Sequence, residues 1–126
     1  MSQKVLIIDD SEVIRSRLLL LFTEIKGVDV VGQASNAEEG YKLFCSLEPD
    51  IIILDIRMPG ESGIALLEKI KMASPHTTVV ILTNYPHSAY RKRCKESGAD
   101  FFLDKSTEFA KVEQILDGEH AACTCS

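Results

Sequence analysis

Apolar residues are concentrated in five short runs, separated by segments in which apolar residues recur every three or four positions. A run without polar alternation is typical of a strand that helices cover on both faces. One run, Val28–Ala34, alternates enough to indicate a less buried strand. The predicted strands are Lys4–Ile8, Val28–Ala34, Ile51–Leu54, Thr78–Leu82 and Phe101–Leu103.

Helical spacing follows each of these runs. Ser11 and Asn36 are N-cap candidates for the first two helices. The first helix is predicted to span about fifteen residues before Gly27, and the second ends at Pro49. The other helices are predicted at Ser62–Met72, Ser88–Glu96 and around Phe109, Val112 and Leu116, before Gly118.

This order of elements predicts the fold class. Connections that are too long for hairpins indicate parallel strands joined by right-handed helical crossovers, with helices on both faces of the sheet. We therefore predict an α/β, doubly wound (βα)5 domain with a parallel five-stranded sheet. The 126 residues fit one domain, which we place at residues 1–120, with a polar tail at 121–126.

Composition and charge narrow the range of partners. A net charge of −5 disfavours direct binding to DNA, because a phosphate backbone is bound through clustered Lys and Arg. No apolar run is long enough to cross a membrane, so we predict a cytoplasmic location. Cys45 and Cys94 are predicted to pack within helices as reduced thiols. Cys123 and Cys125, in a terminal Cys-Thr-Cys, give only a weak indication of a metal or redox site.

Polar residues end four of the five predicted strands. Because parallel strands of one sheet end at the same edge, Asp9, Asp10, Asp55, Thr83 and Lys105 are predicted to be neighbours. Three adjacent carboxylates repel one another. Mg²⁺, or Mn²⁺, relieves this repulsion and binds oxygen ligands while keeping several waters. The sequence thus predicts a half-open metal site at this edge.

The same parts suit phosphoryl transfer. A metal and a cation stabilise the negative charge of the transition state while a fixed nucleophile lies in line. An aspartate can be that nucleophile and carry the phosphoryl group as an acyl phosphate. Asp55 is the candidate because it ends the central strand.

These residues carry a resemblance to the receiver domain of two-component response regulators, over roughly residues 3 to 118. The resemblance implies a flavodoxin-like fold with strand order 2-1-3-4-5. Each matching motif is weak alone, but all four stand at the predicted strand ends. They are Ile8-Asp9-Asp10, Leu54-Asp55-Ile56-Arg57-Met58-Pro59-Gly60, Leu82-Thr83 and Leu103-Asp104-Lys105.

The resemblance also implies roles for the acidic residues. Asp55 is the expected phosphoacceptor. Asp10, Asp55 and the backbone carbonyl of Arg57 are the expected Mg²⁺ ligands, and Asp9 acts mainly through water.

Three further residues acquire roles from the resemblance. Lys105 is expected to pair with phosphoryl oxygens and Thr83 to bond to them after transfer. Phe102 falls at an aromatic switch position, so the face formed by the fourth helix, fifth strand and fifth helix is expected to change. Phe102 lacks the hydroxyl of a tyrosine, so its two positions differ by burial alone.

The chain departs from the family pattern at three places. Ser106 follows Lys105 where many receivers have proline, and Asn84 is larger than the residue that often follows the strand-end threonine. Arg57 and Tyr85 flank the path of attacking water in such domains. We hypothesise that their bulk slows loss of the phosphoryl group.

The resulting prediction is a single-domain response regulator rather than an enzyme. Its expected partners are a histidine kinase or phosphotransfer protein and a downstream protein target. Two alternatives remain at this point: a phosphorylation-independent dimerisation module and a flavodoxin-type electron carrier. The basic run Arg91-Lys92-Arg93 with Lys95 is either a solvated helix face or a partner-binding patch.

Overall fold

The five apolar runs form one parallel sheet in the order β2-β1-β3-β4-β5, as the resemblance implied. The computed structural model describes residues 3–57, 62–84 and 88–116. β3 lies at the centre and is buried along its whole length. The strands are β1 Gln3–Ile8, β2 Val28–Ala34, β3 Ile51–Leu54, β4 Thr78–Thr83 and β5 Phe101–Asp104.

Helices follow every strand, and polar side chains cap three of them. Ser11, Asn36 and Ser62 each accept a hydrogen bond from a backbone N–H in the first turn of their helix. No helix within the described ranges is long and apolar enough to span a bilayer. The helices are α1 Glu12–Thr23, α2 Ala37–Leu47, α3 Gly63–Ala73, α4 Ser88–Glu96 and α5 at residues 111–116.

Strand alternation divides the core into two layers, as predicted for helices on both faces. One layer joins the sheet to α2, α3 and α4, and the other joins it to α1 and α5. Phe101 and Phe102 are adjacent on β5 and pack into opposite layers. The more exposed strand predicted at Val28–Ala34 is confirmed, because only its last residue is fully buried.

Three predictions about helices were wrong in detail. α1 has 12 residues rather than about fifteen, because its last turn tightens well before Gly27. The N–H of Glu24 donates to the carbonyl of Leu21, and the N–H of Ile25 donates to that of Phe22. Phe109 precedes the helical residues 111–116. Cys45 is exposed, since it lies on the outer side of α2 beside the buried Phe44, whereas Cys94 is buried as predicted.

Gly63 brings the start of α3 against the end of β3. Its N–H donates to the carbonyl of Ile56 at 2.7 Å. A Cβ at this position would lie 2.1 Å from the carbonyl oxygen of Asp55 and 2.7 Å from the Cα of Ile56. Backbone atoms cannot move aside as a side-chain end can, so only glycine allows this approach.

Replacement of Gly63 with Ala is therefore expected to lower the free energy of unfolding by about 1–3 kcal/mol, as overpacking does elsewhere. Urea denaturation measures this change. Gly32→Ala is the matched control, because the nearest atom to its new methyl group is the mobile Cδ1 of Leu47 at 2.9 Å. Equal stability of the two variants would contradict the proposed backbone clash.

A second set of contacts ties three elements together at the opposite edge of the sheet. Lys71 Nζ, near the end of α3, lies 2.8 Å from Asp100 Oδ2 and 2.5 Å from the carbonyl oxygen of Thr77. Asp100 Oδ2 also accepts the N–H of Val79 at 2.8 Å. The starts of β4 and β5 are thus held to α3. A cavity of about 620 Å³ also opens at this edge, away from Asp9, Asp10 and Asp55, and it is lined by residues such as Gln3, Asp50 and Thr78.

Candidate functional site

The carboxyl edge of the sheet brings together the acidic side chains that end β1 and β3. Carboxylate oxygens of Asp9, Asp10 and Asp55 all lie within 4.8 Å of one another. Asp9 and Asp55 are only 2% and 4% exposed, whereas Asp10 faces solvent. The predicted acidic cluster therefore has a buried side and an open side.

Lys105 enters this cluster from the end of β5. Its Nζ lies 2.8 Å from Asp9 Oδ2 and 3.2 Å from Asp55 Oδ2, and the residue is 6% exposed. Its backbone N–H donates to the carbonyl of Thr83 at 2.8 Å, and Thr83 is fully buried. All five polar residues predicted at the strand ends therefore lie at this edge.

The electrostatics of Asp55 set it apart from an ordinary surface carboxylate. Burial raises the pKa of Asp55 from 3.8 to about 6, and the nearby charge of Asp9 adds to this effect. The ammonium group of Lys105 opposes the increase. Asp55 is thus a desolvated carboxylate whose proton is released just below neutral pH.

The cluster in turn keeps Lys105 charged. Burial disfavours the ammonium form, but the hydrogen bond to Asp9 and the charges of Asp55 and Asp9 outweigh it, so the pKa of Lys105 lies above its usual value. One cation therefore faces two buried carboxylates. An excess of negative charge remains at the edge.

A polar turn that was not predicted from the sequence surrounds Lys105. Asp104 Oδ1 accepts hydrogen bonds from the N–H and the hydroxyl of Ser106, at 2.9 and 2.7 Å. Glu108 Oε1 accepts the N–H of Asp104 at 3.1 Å. The Asp-Lys-Ser spacing, which allows an aspartate to bond two residues ahead, was the available signal. These bonds fix the backbone on both sides of Lys105 where many receivers have proline.

Phe102 lies half-buried on β5 and is covered by α4. The guanidinium carbon of Arg91 is 4.6 Å from the centroid of the Phe102 ring, and Arg91 Nη1 lies 3.4 Å from the Phe102 carbonyl oxygen. The sequence pattern indicated a role for each residue but not their contact. The predicted switch position and the basic run therefore form one surface.

Of the two residues predicted to flank the path of water, the structure describes Arg57. Arg57 is exposed, and its N–H donates to Asp55 Oδ1 at 3.3 Å. Its predicted neighbour Tyr85, the turn at residues 58–60 and the tail with Cys123 and Cys125 lie outside the described residues.

Comparison with known proteins identifies the class. Residues 5–117 match the model of the response regulator receiver domain, so this chain belongs to that family. Its members are the phosphoacceptor modules of two-component signalling and are generally not enzymes themselves. Membership in this family excludes the electron-carrier alternative.

Individual relatives extend the comparison. The chain is 35% identical over 118 residues to the nitrate/nitrite response regulator protein NarL of Escherichia coli K12, covering 94% of this chain and 53% of NarL. It is 30% identical over 113 residues to the response regulator GacA of Pseudomonas aeruginosa, covering 90% and 53% respectively. The chain thus spans about half the length of these curated relatives.

The fold matches solved receiver structures as well. One is the complex of CheX and CheY with beryllofluoride and magnesium from Borrelia burgdorferi. The match has a TM-score of 0.85 and 29% sequence identity, and it covers 94% of this chain and 89% of that chain.

Proposed function

We propose that this domain accepts a phosphoryl group on Asp55 from the phosphohistidine of a histidine kinase or phosphotransfer protein. The observation that carries the proposal is the buried Asp55 carboxylate at the end of the central strand, with Lys105 Nζ 3.2 Å away. A surface carboxylate capping a helix would need neither this burial nor a buried cation.

The chemistry requires one nucleophile and one stabilising cation from this chain. A carboxylate oxygen of Asp55 attacks phosphorus, the bond between phosphorus and the donor imidazole nitrogen breaks, and the electron pair stays on the imidazole. Lys105 Nζ lies 3.2 Å from Asp55 Oδ2, so its ammonium group is placed to neutralise charge that develops on the phosphoryl oxygens. The raised pKa of Asp55 makes its carboxylate a better nucleophile than an exposed one, yet leaves it mostly ionised above pH 6.

Receiver domains bind Mg²⁺ at an acidic pocket, and the oxygen donors of this chain fit such an ion. Asp9, Asp10 and Asp55 offer carboxylate oxygens within 4.8 Å of one another, which suits a hard cation. We assign Asp10, Asp55 and the Arg57 carbonyl as ligands and Asp9 as acting through water. Bound Mg²⁺, or Mn²⁺, would neutralise charge on the phosphoryl group.

Phosphorylation is proposed to act on a protein-binding surface. Two new negative charges beside Lys105 attract its ammonium group and the hydroxyl of Thr83. Lys105 and Thr83 are joined through their backbones, so β4 and β5 respond together. Phe102 lies on β5, and the face of α4, β5 and α5 is the proposed output surface toward a downstream protein.

A direct test is incubation of the purified protein with acetyl phosphate and Mg²⁺, followed by intact mass spectrometry. We expect one phosphoryl group per chain, and none when EDTA removes the metal. A protein that remains unmodified with acetyl phosphate, and unchanged in its spectrum with beryllofluoride, would instead support the phosphorylation-independent dimerisation module. The oligomeric state with and without beryllofluoride then tests that alternative.

Arg57 and Tyr85 are proposed to lengthen the life of the phosphoryl group. Residues at these two positions flank the path of attacking water in receiver domains, so the double Ala variant is expected to lose phosphate several-fold faster than the wild type. Decay of the phosphorylated mass after removal of acetyl phosphate measures this rate. Faster decay in the wild type than in the double variant would count against the proposal.

Four further assignments remain proposals. The net charge of −5 supports a domain that does not itself bind DNA. The cytoplasmic location and the stand-alone form, as well as the boundary between the domain and residues 121–126, stay predictions. The mass of the native polypeptide, detected in fractionated cells with an antibody, tests the location and the form together.

A further inference from the structure

The helix α4 carries a concentration of positive charge on an acidic protein. Arg91, Lys92, Arg93 and Lys95 are all exposed, and the same nine residues contain one acid, Glu96, so α4 carries +3. Since the whole chain carries −5, the remainder carries −8. Cys94 is the residue of α4 that is fully buried. Around the helix axis, Arg91, Lys92 and Lys95 lie within about 100° of one another, whereas Arg93 is roughly opposite Arg91. Arg91, Lys92 and Lys95 are here called the α4 patch.

One member of the α4 patch is held in a defined orientation. Arg91 stacks over the ring of Phe102 at 4.6 Å, and its Nη1 also approaches the Phe102 carbonyl oxygen at 3.4 Å. Stacking uses the flat face of a guanidinium, which leaves donors at its edge to bind a carboxylate with two parallel hydrogen bonds. Restriction of the side chain before binding reduces the entropy lost on binding.

Glu108 is an acidic neighbour of Arg91 whose carboxylate is already engaged. Glu108 feels the charge of Arg91, which helps to lower the pKa of that carboxyl, after the stronger effects of Lys111 and of the Asp104 N–H. One Glu108 oxygen accepts that N–H at 3.1 Å, and the other lies 2.8 Å from Lys111 Nζ. Glu108 therefore does not satisfy the guanidinium of Arg91.

We propose that the α4 patch is a docking site for an acidic peptide segment of a partner protein, with a carboxylate held by Arg91 and flanking acids attracted to Lys92 and Lys95. Arg91 and Lys95 are four residues apart, so they lie one turn apart on the same face of α4. A protein segment fits better than a nucleic acid or an anionic bilayer. Both of those are extended negative surfaces that the remaining charge of −8 repels.

Phosphorylation and docking are coupled if they meet at Phe102, and this coupling rests on the function proposed above. Arg91 contacts both the ring and the carbonyl of Phe102. The affinity of a segment that binds Arg91 therefore depends on the position of β5, because a shift of β5 moves the ring and the carbonyl that hold the Arg91 side chain. By linkage, the activated state and the acidic segment stabilise each other by the same factor.

The test uses fluorescence anisotropy with a labelled peptide of alternating Glu and Leu, and a Lys/Leu peptide as its opposite in charge. We expect the Glu/Leu peptide to bind the full chain with an affinity that falls as salt rises. The single variant Arg91→Ala should weaken binding by about threefold to tenfold. The α4 double variant, which combines Lys92→Ala and Lys95→Ala, should weaken it by a similar factor. Arg91→Lys should weaken it nearly as much as Arg91→Ala, because a lysine cannot make the paired contact.

The matched control removes the same charge elsewhere. Lys26 and Lys42 are exposed outside α4, and Lys42 pairs with Glu38 at 3.5 Å. The control double variant, Lys26→Ala with Lys42→Ala, should bind the peptide with an affinity within about twofold of the wild type, as expected for distant exposed charges. If this control and the α4 double variant lose the same affinity for the peptide, binding depends only on the net charge of the protein, and the proposal is overturned.

The remaining outcomes separate the two proposals. Absence of Glu/Leu peptide binding while Asp55 is phosphorylated overturns the docking site alone. Binding that depends on Arg91 in a protein that cannot be phosphorylated supports the docking site and counts against the proposed function. Binding that is equal with and without beryllofluoride overturns the coupling. Tighter binding to duplex DNA or phosphatidylglycerol vesicles than to the peptide assigns the patch to that ligand and overturns a protein partner.

Discussion

The Asp55→Asn variant is expected to take up no phosphoryl group from acetyl phosphate and Mg²⁺, whereas the wild type is expected to reach one per chain. Asn is nearly the same size as Asp and keeps the hydrogen bond from the Arg57 N–H possible, so the fold is retained. The amide, however, cannot attack phosphorus to give an acyl phosphate. Intact mass spectrometry and peptide mapping of the product measure the loss.

The matched control for this variant is Asp29→Asn, the same chemical change at an exposed position of β2. It is expected to be phosphorylated like the wild type. Full phosphorylation of Asp55→Asn would show that another residue is the acceptor. Loss in both variants would indicate a general effect of removing a carboxylate. The combination of loss at Asp55 alone and normal circular dichroism supports the assigned nucleophile.

Unfolding of the metal-free protein is expected to depend on pH through the same carboxylate. The pKa of Asp55 is 3.8 in the unfolded reference and about 6 in the fold, so the folded state binds the proton more tightly. The stability that this proton provides is present below pH 3.8 and is lost as the pH rises through 6. A difference of about two pKa units corresponds to roughly 3 kcal/mol.

Asp55→Asn has no titrating group at this position, so it isolates the contribution of Asp55. In EDTA, its unfolding free energy minus that of the wild type should increase by roughly 3 kcal/mol as the pH rises from below 4 to above 6. Urea denaturation at several pH values measures the difference, with Asp29→Asn as the exposed control. A difference that shrinks with rising pH would mean that attraction to Lys105 outweighs burial of the carboxylate.

The sheet and its site were predictable because apolar runs report burial directly. The run Ile51–Leu54 has no polar alternation, and it is the strand that is covered on both faces. Its ending on Asp55 located the site. The meeting of Asp55 with Asp9 and Lys105 then followed from parallel topology, in which distant strand ends share one edge.

Contacts that depend on side-chain direction were not predictable in the same way. Arg91 and Phe102 are eleven residues apart on different elements, and periodicity does not fix how a helix rotates over a strand. The turn at Asp104 and Ser106 is a local hydrogen-bond pattern without hydrophobic periodicity. The early end of α1 depends on hydrogen bonds in its last turn. These bonds could not be predicted from the position of Gly27.

The contacts of Lys71 with Thr77 and Asp100 give the sheet a mechanical asymmetry. They pin the beginnings of β4 and β5 to α3, whose first residue is itself pressed against the end of β3. In a pair of strands held at one end, displacement grows with distance from that end. At the usual rise per residue of a strand, Val79 and Thr83 are roughly 13 Å apart. A rotation about these contacts is therefore expected to displace β4 and β5 most at their ends beside Asp55, the proposed phosphoacceptor.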